Sequence, residues 1–321
     1  MLLDIVILIV GLALILYGAN FLTDGSAALA QRFNISEFVI GLTIVAIGTS
    51  MPEFVVSTLS AFQGNSDVAI GNVIGSNIFN TLAILGITSL LTPVALTKTN
   101  IKWDIPMGIF ASFVLLIMTS DVFLGDGTID MIGRGEGILL LFCFAGFMAY
   151  SFLTAKNIPE AGIPENTPIK KKNGWVISAM IIGGLAGLIF GGNIFLDSAI
   201  SIARAAGIKD ATIAITLMAG GTSLPELAAS TVSAIKGRSQ LALGNVVGSN
   251  ISNIFLVLGA SATISPLTLG DITTGDMLVM VGCSILLLIT AYTFKQKKID
   301  RIEGIIFLLI FLAYMAWVVN R

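Results

Sequence analysis

Two short polar segments interrupt the apolar sequence, and each combines a carboxylate with hydroxyls and a proline. The first, Gly48–Glu53, reads Gly-Thr-Ser-Met-Pro-Glu, and the second, Gly221–Glu226, reads Gly-Thr-Ser-Leu-Pro-Glu. An ionised glutamate at the centre of a membrane helix costs about 2.5 to 3.5 kcal/mol on insertion scales. The sequence places no lysine or arginine beside either glutamate. We therefore expect a bound cation to compensate the two negative charges.

The prolines of these segments predict two broken helices. Pro52 and Pro225 each lack a backbone N–H and clash with the preceding turn, so we expect the helices to unwind over Ala46–Ser50 and Ala219–Ser223 and to free carbonyl groups. Irregular backbone at membrane depth is tolerated where it lines a cavity, and matched interruptions point to a transport site. A plain proline kink without a ligand is the alternative, which the repeated hydroxyls and carboxylates disfavour.

The two segments belong to a longer internal duplication with a constant offset of 173 residues. A constant offset over many positions indicates repeated structural units. The offset also places Gly18 on Gly191, Asn72 on Asn245, Gly75–Ile78 on Gly248–Ile251, Asn80 on Asn253, and Pro93 on Pro266.

The helix after each broken segment offers further polar side chains. Asn72, Ser76 and Asn80 recur at intervals of four and share one helix face, as their repeat partners do, whereas Asn77 lies off that face. Close helix packing is the preferred interpretation for the neighbouring Gly71, Gly75, Gly244 and Gly248. We predict a single site of carboxylate, hydroxyl and amide oxygens, formed by Glu53, Glu226, Thr49, Ser50, Ser76, Thr222, Ser223, Ser249, Asn80 and Asn253.

The predicted ligands are all oxygen atoms, which favours a hard cation. Calcium accepts six to eight oxygens in flexible geometry, whereas transition metals favour nitrogen or sulfur. The chain has no histidine, so imidazole ligands and the usual proton shuttle are excluded. Ca²⁺ and Na⁺ are the natural candidates, bound as substrates, and no cofactor is expected.

Composition places this site in a polytopic membrane protein. Hydrophobic residues make up 55% and charged residues 11% of the chain, whereas soluble domains have about 25% charged residues. A soluble enzyme is thereby excluded, and the lipid bilayer is the expected environment, with no nucleic acid and no obligatory protein partner. Ten membrane-spanning helices are predicted, at Ile5–Ala30, Phe38–Phe62, Val68–Leu91, Ile105–Ser120, Gly137–Leu153, Val176–Ala205, Ala211–Ile235, Leu241–Ile264, Met277–Phe294 and Ile302–Val319.

The loops predict the domain organisation and the orientation. A polar linker, 156–174, separates a first five-helix repeat, 1–155, from a second, 175–321. Thirteen of the 17 lysines and arginines lie on the side of this linker, which the positive-inside rule assigns to the cytoplasm. Both termini are then expected outside the cell (inner) membrane. Because five spans are an odd number, the repeats should be inverted, with helices 2 and 7 broken at the midplane.

The Gly-Thr-Ser-x-Pro-Glu and Gly-Ser-Asn motifs resemble those of the calcium/cation antiporter superfamily, in particular its sodium/calcium exchanger family. The resemblance covers nearly the whole chain. It implies that Glu53 and Glu226 are shared ligands of calcium and sodium, that the carbonyl groups of Ala46 and Ala219 complete the sites, and that the long first and sixth helices move. Asn253 stands where potassium-dependent exchangers have an aspartate, which favours a potassium-independent exchanger.

The resemblance implies a secondary active antiporter that exchanges Na⁺ for Ca²⁺ by alternating access. A proton/calcium exchanger and a potassium-dependent exchanger remain alternatives, as does a passive cation channel with the same oxygen-lined cavity. An intramembrane hydrolase has little support, because no second general base accompanies a serine.

Overall fold

The computed structural model describes residues 2–120, 130–155, 172–206, 219–270, 272–293 and 297–320, and helices dominate this part of the chain. The elements of the first half are α1 (Leu2–Phe33), α2 (Glu37–Ile40), π1 (Gly41–Val45), α3 (Ala46–Thr49), α4 (Met51–Phe62), α5 (Ser66–Ile78), π2 (Phe79–Ile84), α6 (Leu85–Leu91), β1 (Val94–Ala95), π3 (Asn100–Asp104), α7 (Ile105–Met118), β2 (Met131–Ile132) and α8 (Arg134–Thr154).

The second half has elements of the same kinds in a matching order. They are α9 (Gly174–Ala205), α10 (Ala219–Gly221), α11 (Leu224–Ile235), α12 (Ser239–Ser252), π4 (Asn253–Leu258), α13 (Gly259–Ile264), β3 (Leu267–Thr268), α14 (Thr274–Thr290), β4 (Lys298–Ile299) and α15 (Arg301–Val319). The run α4, α5, π2, α6 of the first half thus recurs as α11, α12, π4, α13. The π-helical turns and the short strands were not predicted from the sequence.

The described helices confirm a multi-pass membrane protein. Seven continuous helices are long and apolar enough to cross a bilayer. An eighth span is formed by Glu37–Thr49 and Met51–Phe62 together, which meet at a bend of 47°. The apolar helix Thr274–Thr290 is shorter, and the first part of the predicted seventh span, 211–218, lies outside the described residues. The count of ten spans therefore stays a prediction.

The first helix break is narrower than the sequence predicted. Helical structure continues through α3 to Thr49, and only Ser50 leaves it, with φ −80° and ψ 9°. The Ser50 N–H still donates to the Ala46 carbonyl oxygen at 3.0 Å. Pro52 removes only its own N–H, the usual donor to the carbonyl four residues earlier, at Gly48, so one residue is enough to absorb the bend. The prediction of unwinding over Ala46–Ser50 is wrong in extent.

The centre of the fold is the second-half span formed by α12, π4 and α13. Within the most apolar 18-residue stretch of this span, 94% of the residues are buried. A Cβ added at Gly244 or Gly248 would overlap the carbonyl oxygen of Phe38 or Leu42, and one added at Gly41 would lie 2.5 Å from the Leu241 carbonyl oxygen. The backbones of α12 and the α2–π1 segment are therefore in direct contact, which confirms the packing interpretation for these glycines.

The corresponding glycines of α5 have different surroundings. Within the described ranges, no atom lies within 4 Å of a Cβ added at Gly75, and one added at Gly71 meets only the flexible side chain of Ile272, at 3.1 Å. The residue that matches Gly41 is 214, which falls in the gap 207–218. The packing interpretation is thus supported for α12 alone.

The two longest helices, α1 and α9, pack along each other with their backbones in contact. A Cβ added at Gly18 would lie 2.7 Å from the Leu188 nitrogen, and one added at Gly184 would lie 2.6 Å from the Leu22 nitrogen. Small residues allow such close approach of membrane helices. Helix α1 also contacts the helix of Glu226, since the Thr23 and Ser233 hydroxyls lie 3.0 Å apart.

Two short antiparallel ribbons join the halves. Strand β1 pairs with β4, with Val94 opposite Ile299, and β2 pairs with β3, with Met131 opposite Thr268. Each ribbon takes one strand from each half. Strand β3 matches β1 at the repeat offset. Each of these two strands pairs with a strand of the other half, as the residues of the site described below also do.

Candidate cation site

Glu53 and Glu226 occupy the same position in two equivalent helices. Each lies in the first turn, of α4 and α11 respectively, directly after a proline. Both side chains are fully buried, with 0% exposure. The N-terminal end of a helix carries partial positive charge and favours a carboxylate there. This local field offsets only part of the cost of burying two negative charges.

Each carboxylate receives a hydrogen bond from the broken segment of the other half. The Ser50 hydroxyl donates to Glu226 Oε1 at 2.9 Å, and the Ser223 hydroxyl donates to Glu53 Oε1 at 2.9 Å. The Ser76 hydroxyl also donates to Glu53 Oε1, at 3.4 Å. The two copies of the motif therefore meet and form one cluster, as the duplication predicted.

We expect Ser50→Ala and Ser223→Ala each to weaken the apparent affinity for the transported cation by roughly tenfold. Hydrogen bonds to charged groups contribute about 1.5 to 3 kcal/mol, and each hydroxyl holds the opposite carboxylate in place. The measurement is the cation dependence of flux in proteoliposomes. Ser60→Ala, in α4 ten residues after Ser50 and half-buried, is the matched control. Equal affinities in all three variants would contradict this role.

The two threonines of the motif form hydrogen bonds to asparagines of the other half. The Thr49 hydroxyl donates to Asn245 Oδ1 at 3.1 Å, and the Thr222 hydroxyl donates to Asn72 Oδ1 at 3.4 Å. Their oxygen atoms keep lone pairs for a cation. The threonines thus also tie each broken segment to the long helix of the other half.

The Ala46 carbonyl group is not released from helical hydrogen bonding, contrary to the prediction from the sequence. It keeps the Ser50 N–H and also accepts from the Thr49 hydroxyl at 3.3 Å and the Ser249 hydroxyl at 3.5 Å. The reason is the narrow break at Ser50. Ala219 begins helix α10, directly after the gap 207–218, so the equivalent arrangement in the second half lies partly outside the described residues.

Four residues that were not among the predicted ligands form hydrogen bonds that support the cluster. Asn72 donates to the Ser57 hydroxyl at 3.0 Å and to the Glu53 carbonyl oxygen at 3.3 Å. Asn245 donates to the Ser230 hydroxyl at 2.9 Å and to the Glu226 carbonyl oxygen at 3.5 Å. Ser57 and Ser230 match at the offset of 173 residues, so the repeat alignment contained the signal.

The amides of Asn80 and Asn253 are fully buried on the π-helical segments that follow α5 and α12. Segment π2 packs against α11, the helix of Glu226, and π4 packs against α4, the helix of Glu53. Single π-helical turns within α-helices are frequent at functional sites. Each amide is therefore carried on an element that contacts the carboxylate helix of the opposite half.

Of the eight buried side-chain oxygens without a hydrogen-bond partner in the described residues, four are hydroxyls and four belong to predicted ligands of the site. The four ligand atoms are Glu53 Oε2, Glu226 Oε2, Asn80 Oδ1 and Asn253 Oδ1. Such groups are costly, and nearly all buried polar atoms in proteins are paired. All four accept, none donates, and they form two pairs of repeat-equivalent atoms. This is the pattern that a cation, rather than a hydrogen-bond donor, would satisfy.

No cationic side chain of the described residues neutralises the two glutamates. No lysine or arginine of the described ranges forms an ion pair with either carboxylate; the ion pairs found there join Lys236 to Asp24 and Arg238 to Glu37. The serine hydroxyls that contact the carboxylates use only Oε1.

Known proteins are similar to this chain over nearly its whole length. The family model described as sodium/calcium exchanger protein matches residues 3–153 and 176–320. CaxA of Alkalimonas amylolytica is 37% identical over 325 residues, covering 98% of each chain. The sodium/calcium exchanger MaX1 of Methanosarcina acetivorans is 31% identical over 353 residues, covering 97% of each chain.

A solved structure is similar over almost the full length. The sodium-calcium exchanger NCX_Mj superimposes with a TM-score of 0.84 at 31% identity, covering 99% of both chains. The fold, the duplicated motifs and the family model agree over both halves. This chain belongs to the sodium/calcium exchanger family.

Proposed function

We propose that this protein is a secondary active antiporter that exchanges Na⁺ for Ca²⁺ at the site between the two motifs. The observation that carries the proposal is the set of four buried acceptor oxygens without donors, at Glu53, Glu226, Asn80 and Asn253. A cation at this point would pair with all of them and neutralise both carboxylates. Membership of the sodium/calcium exchanger family supports the choice of ions.

The ligand chemistry supports one site with two alternative loads. Carboxylate, hydroxyl and amide oxygens suit Ca²⁺ and Na⁺, and two carboxylates balance the charge of one Ca²⁺ or of two Na⁺. The further proposed ligands are the hydroxyl oxygens of Thr49, Ser50, Ser76, Thr222, Ser223 and Ser249 and the carbonyl oxygens of Ala46 and Ala219. An empty site retains two unpaired buried charges, so it should cross between its outward and inward states slowly.

We further propose an arrangement of ten spans in two inverted repeats, with domains at 1–155 and 175–321 and a cytoplasmic linker at 156–174. The reciprocal Ser50–Glu226 and Ser223–Glu53 contacts support a two-fold relation between the halves. Transport then proceeds by alternating access around a fixed midplane site. The charge distribution supports termini on the extracytoplasmic side of the cell membrane.

Potassium independence is part of the proposal and rests on the neutral side chain of Asn253. Its amide accepts through a single oxygen and adds no third negative charge to the site. Proton coupling is disfavoured by the absence of histidine in the chain.

The test is ⁴⁵Ca²⁺ uptake into proteoliposomes loaded in turn with Na⁺, K⁺ or an acidic buffer and diluted into a medium lacking that gradient ion. We expect uphill Ca²⁺ accumulation only with internal Na⁺, unchanged by added K⁺ and abolished when an ionophore dissipates the Na⁺ gradient. Accumulation driven by the pH gradient would instead indicate proton exchange. Ca²⁺ that merely equilibrates under all three conditions would indicate a channel and would overturn the antiporter.

A further inference from the structure

The amide nitrogens of Asn80 and Asn253 are each held by an asparagine of the other half. Asn80 Nδ2 donates to Asn250 Oδ1 at 3.1 Å, and Asn253 Nδ2 donates to Asn77 Oδ1 at 3.1 Å. All four side chains are buried. Because the NH₂ end of each amide is engaged in this way, its oxygen is the end left without a donor among the described residues.

The orientation of Asn77 is fixed by the main chain. Its Nδ2 donates to the Asn250 carbonyl oxygen at 3.1 Å and lies 3.9 Å from the Met280 sulfur. A main-chain carbonyl only accepts, so the NH₂ end of Asn77 must face it and Oδ1 must face Asn253. Asn253 is consequently required to donate, and its own oxygen is presented on the other side.

The orientation of Asn250 is set in a different way. Its Nδ2 donates to the Thr81 hydroxyl oxygen at 2.8 Å. A hydroxyl both donates and accepts, so it holds Asn250 less strictly than a carbonyl would. The repeat offset places Ile254 opposite Thr81, so this link exists only once.

We propose that Asn77 and Asn250 are positioning residues that aim the amide oxygens of Asn253 and Asn80 at the transported cation, and that the Thr81 hydroxyl helps to hold Asn250 by accepting a hydrogen bond from its NH₂ group. The proposal rests on the proposed cation site and deepens it. If Asn250 turned over, its NH₂ group would face Asn80. Asn80 would then turn as well and present a donor to the cation. The Asn253 ligand is locked, whereas the Asn80 ligand depends on one hydroxyl.

Thr81→Val and Thr81→Ser test this dependence, since valine keeps the shape of threonine without its hydroxyl and serine keeps the hydroxyl. Ile254→Val, a conservative change at the matching position, is the control. For Thr81→Val we expect the apparent KM for Ca²⁺ in Na⁺-driven uptake to rise roughly tenfold with little change in kcat, the size of effect expected when a buried hydrogen bond is lost. Thr81→Ser should restore the KM, and Ile254→Val should leave it unchanged.

Equilibrium binding of ⁴⁵Ca²⁺ to the purified variants separates positioning from general damage. We expect the Kd of Thr81→Val to rise by the same factor while its melting temperature in detergent stays close to that of the unaltered protein. A Thr81→Val protein with unchanged KM and Kd would overturn the proposal, as would a Thr81→Ser protein as impaired as Thr81→Val. If the unaltered protein neither exchanged nor bound Ca²⁺, the proposed function itself would fail.

Discussion

Glu53→Gln and Glu226→Gln are each expected to reduce Na⁺-driven Ca²⁺ flux by at least about a hundredfold. Each change keeps the shape of the side chain but removes one of the two buried negative charges. Each carboxylate and the bound cation form a buried pair of opposite charges. Removing one partner of such a pair costs about 3 to 5 kcal/mol, and every 1.4 kcal/mol is a factor of ten. The amide also places a donor at one of the two carboxylate oxygen positions, either against the serine contact or toward the cation.

The measurement is initial-rate ⁴⁵Ca²⁺ uptake into Na⁺-loaded proteoliposomes at matched protein density. Glu37→Gln is the control, because it neutralises a carboxylate paired with Arg238 outside the site. We expect the control to keep flux within about twofold of the unaltered protein, because this partly buried ion pair contacts none of the proposed ligands. Flux above a tenth of normal in both site variants would contradict the assignment of the two glutamates.

Gly248→Ala is expected to destabilise the protein and to impair transport although it changes no proposed ligand. The added Cβ would overlap the Leu42 carbonyl oxygen and lie 2.7 Å from the Ala46 Cβ. Overpacking of this kind costs about 1 to 3 kcal/mol, and backbone cannot move aside as a side chain can. Separation of α12 from the α2–π1 segment would also displace the Ala46 carbonyl from the Ser249 hydroxyl.

Thermal unfolding in detergent and Ca²⁺ flux together check this prediction. Gly146→Ala is the control, since Gly146 is exposed on α8 and no atom of the described residues lies within 4 Å of its added Cβ. Alanine should stabilise that helix slightly, by about 0.5 to 1 kcal/mol. A Gly248→Ala protein with the melting temperature and flux of the control would show that the two backbones do not need to touch.

The duplication made much of the site predictable from sequence. A repeat preserves both the type and the position of a side chain, so Ser50, Ser223 and the two carboxylates could be assigned to one site before their distances were known. Hydropathy likewise predicted the multi-pass fold. The odd number of spans in each repeat predicted that the repeats are inverted. Residues 211–218 lie outside the described residues, and for them the alignment still predicts a counterpart of the matching first-half segment.

Other features could not be predicted because they depend on contacts between distant segments. Asn77 lies off the helix face that carries the residues spaced by four, so the sequence did not single it out. In the structure its side chain donates to the Asn250 carbonyl oxygen and accepts from Asn253, both in the other half. The π-helical segment that carries Asn80 leaves no periodic signal in an apolar sequence. The break at Ser50 is narrow because helix α3 keeps its own hydrogen bond to Ala46, which the presence of Pro52 alone does not reveal.

The most direct test of the account is equilibrium binding of ⁴⁵Ca²⁺ to the purified protein, with Na⁺ as competitor, for the unaltered chain, Glu53→Gln and Glu226→Gln. A single site shared by both motifs predicts that Na⁺ displaces all bound Ca²⁺ and that either substitution alone abolishes high-affinity binding. Two independent sites would instead leave about half of the Ca²⁺ binding capacity in each variant. That result, or Ca²⁺ binding that Na⁺ does not displace, would contradict the account.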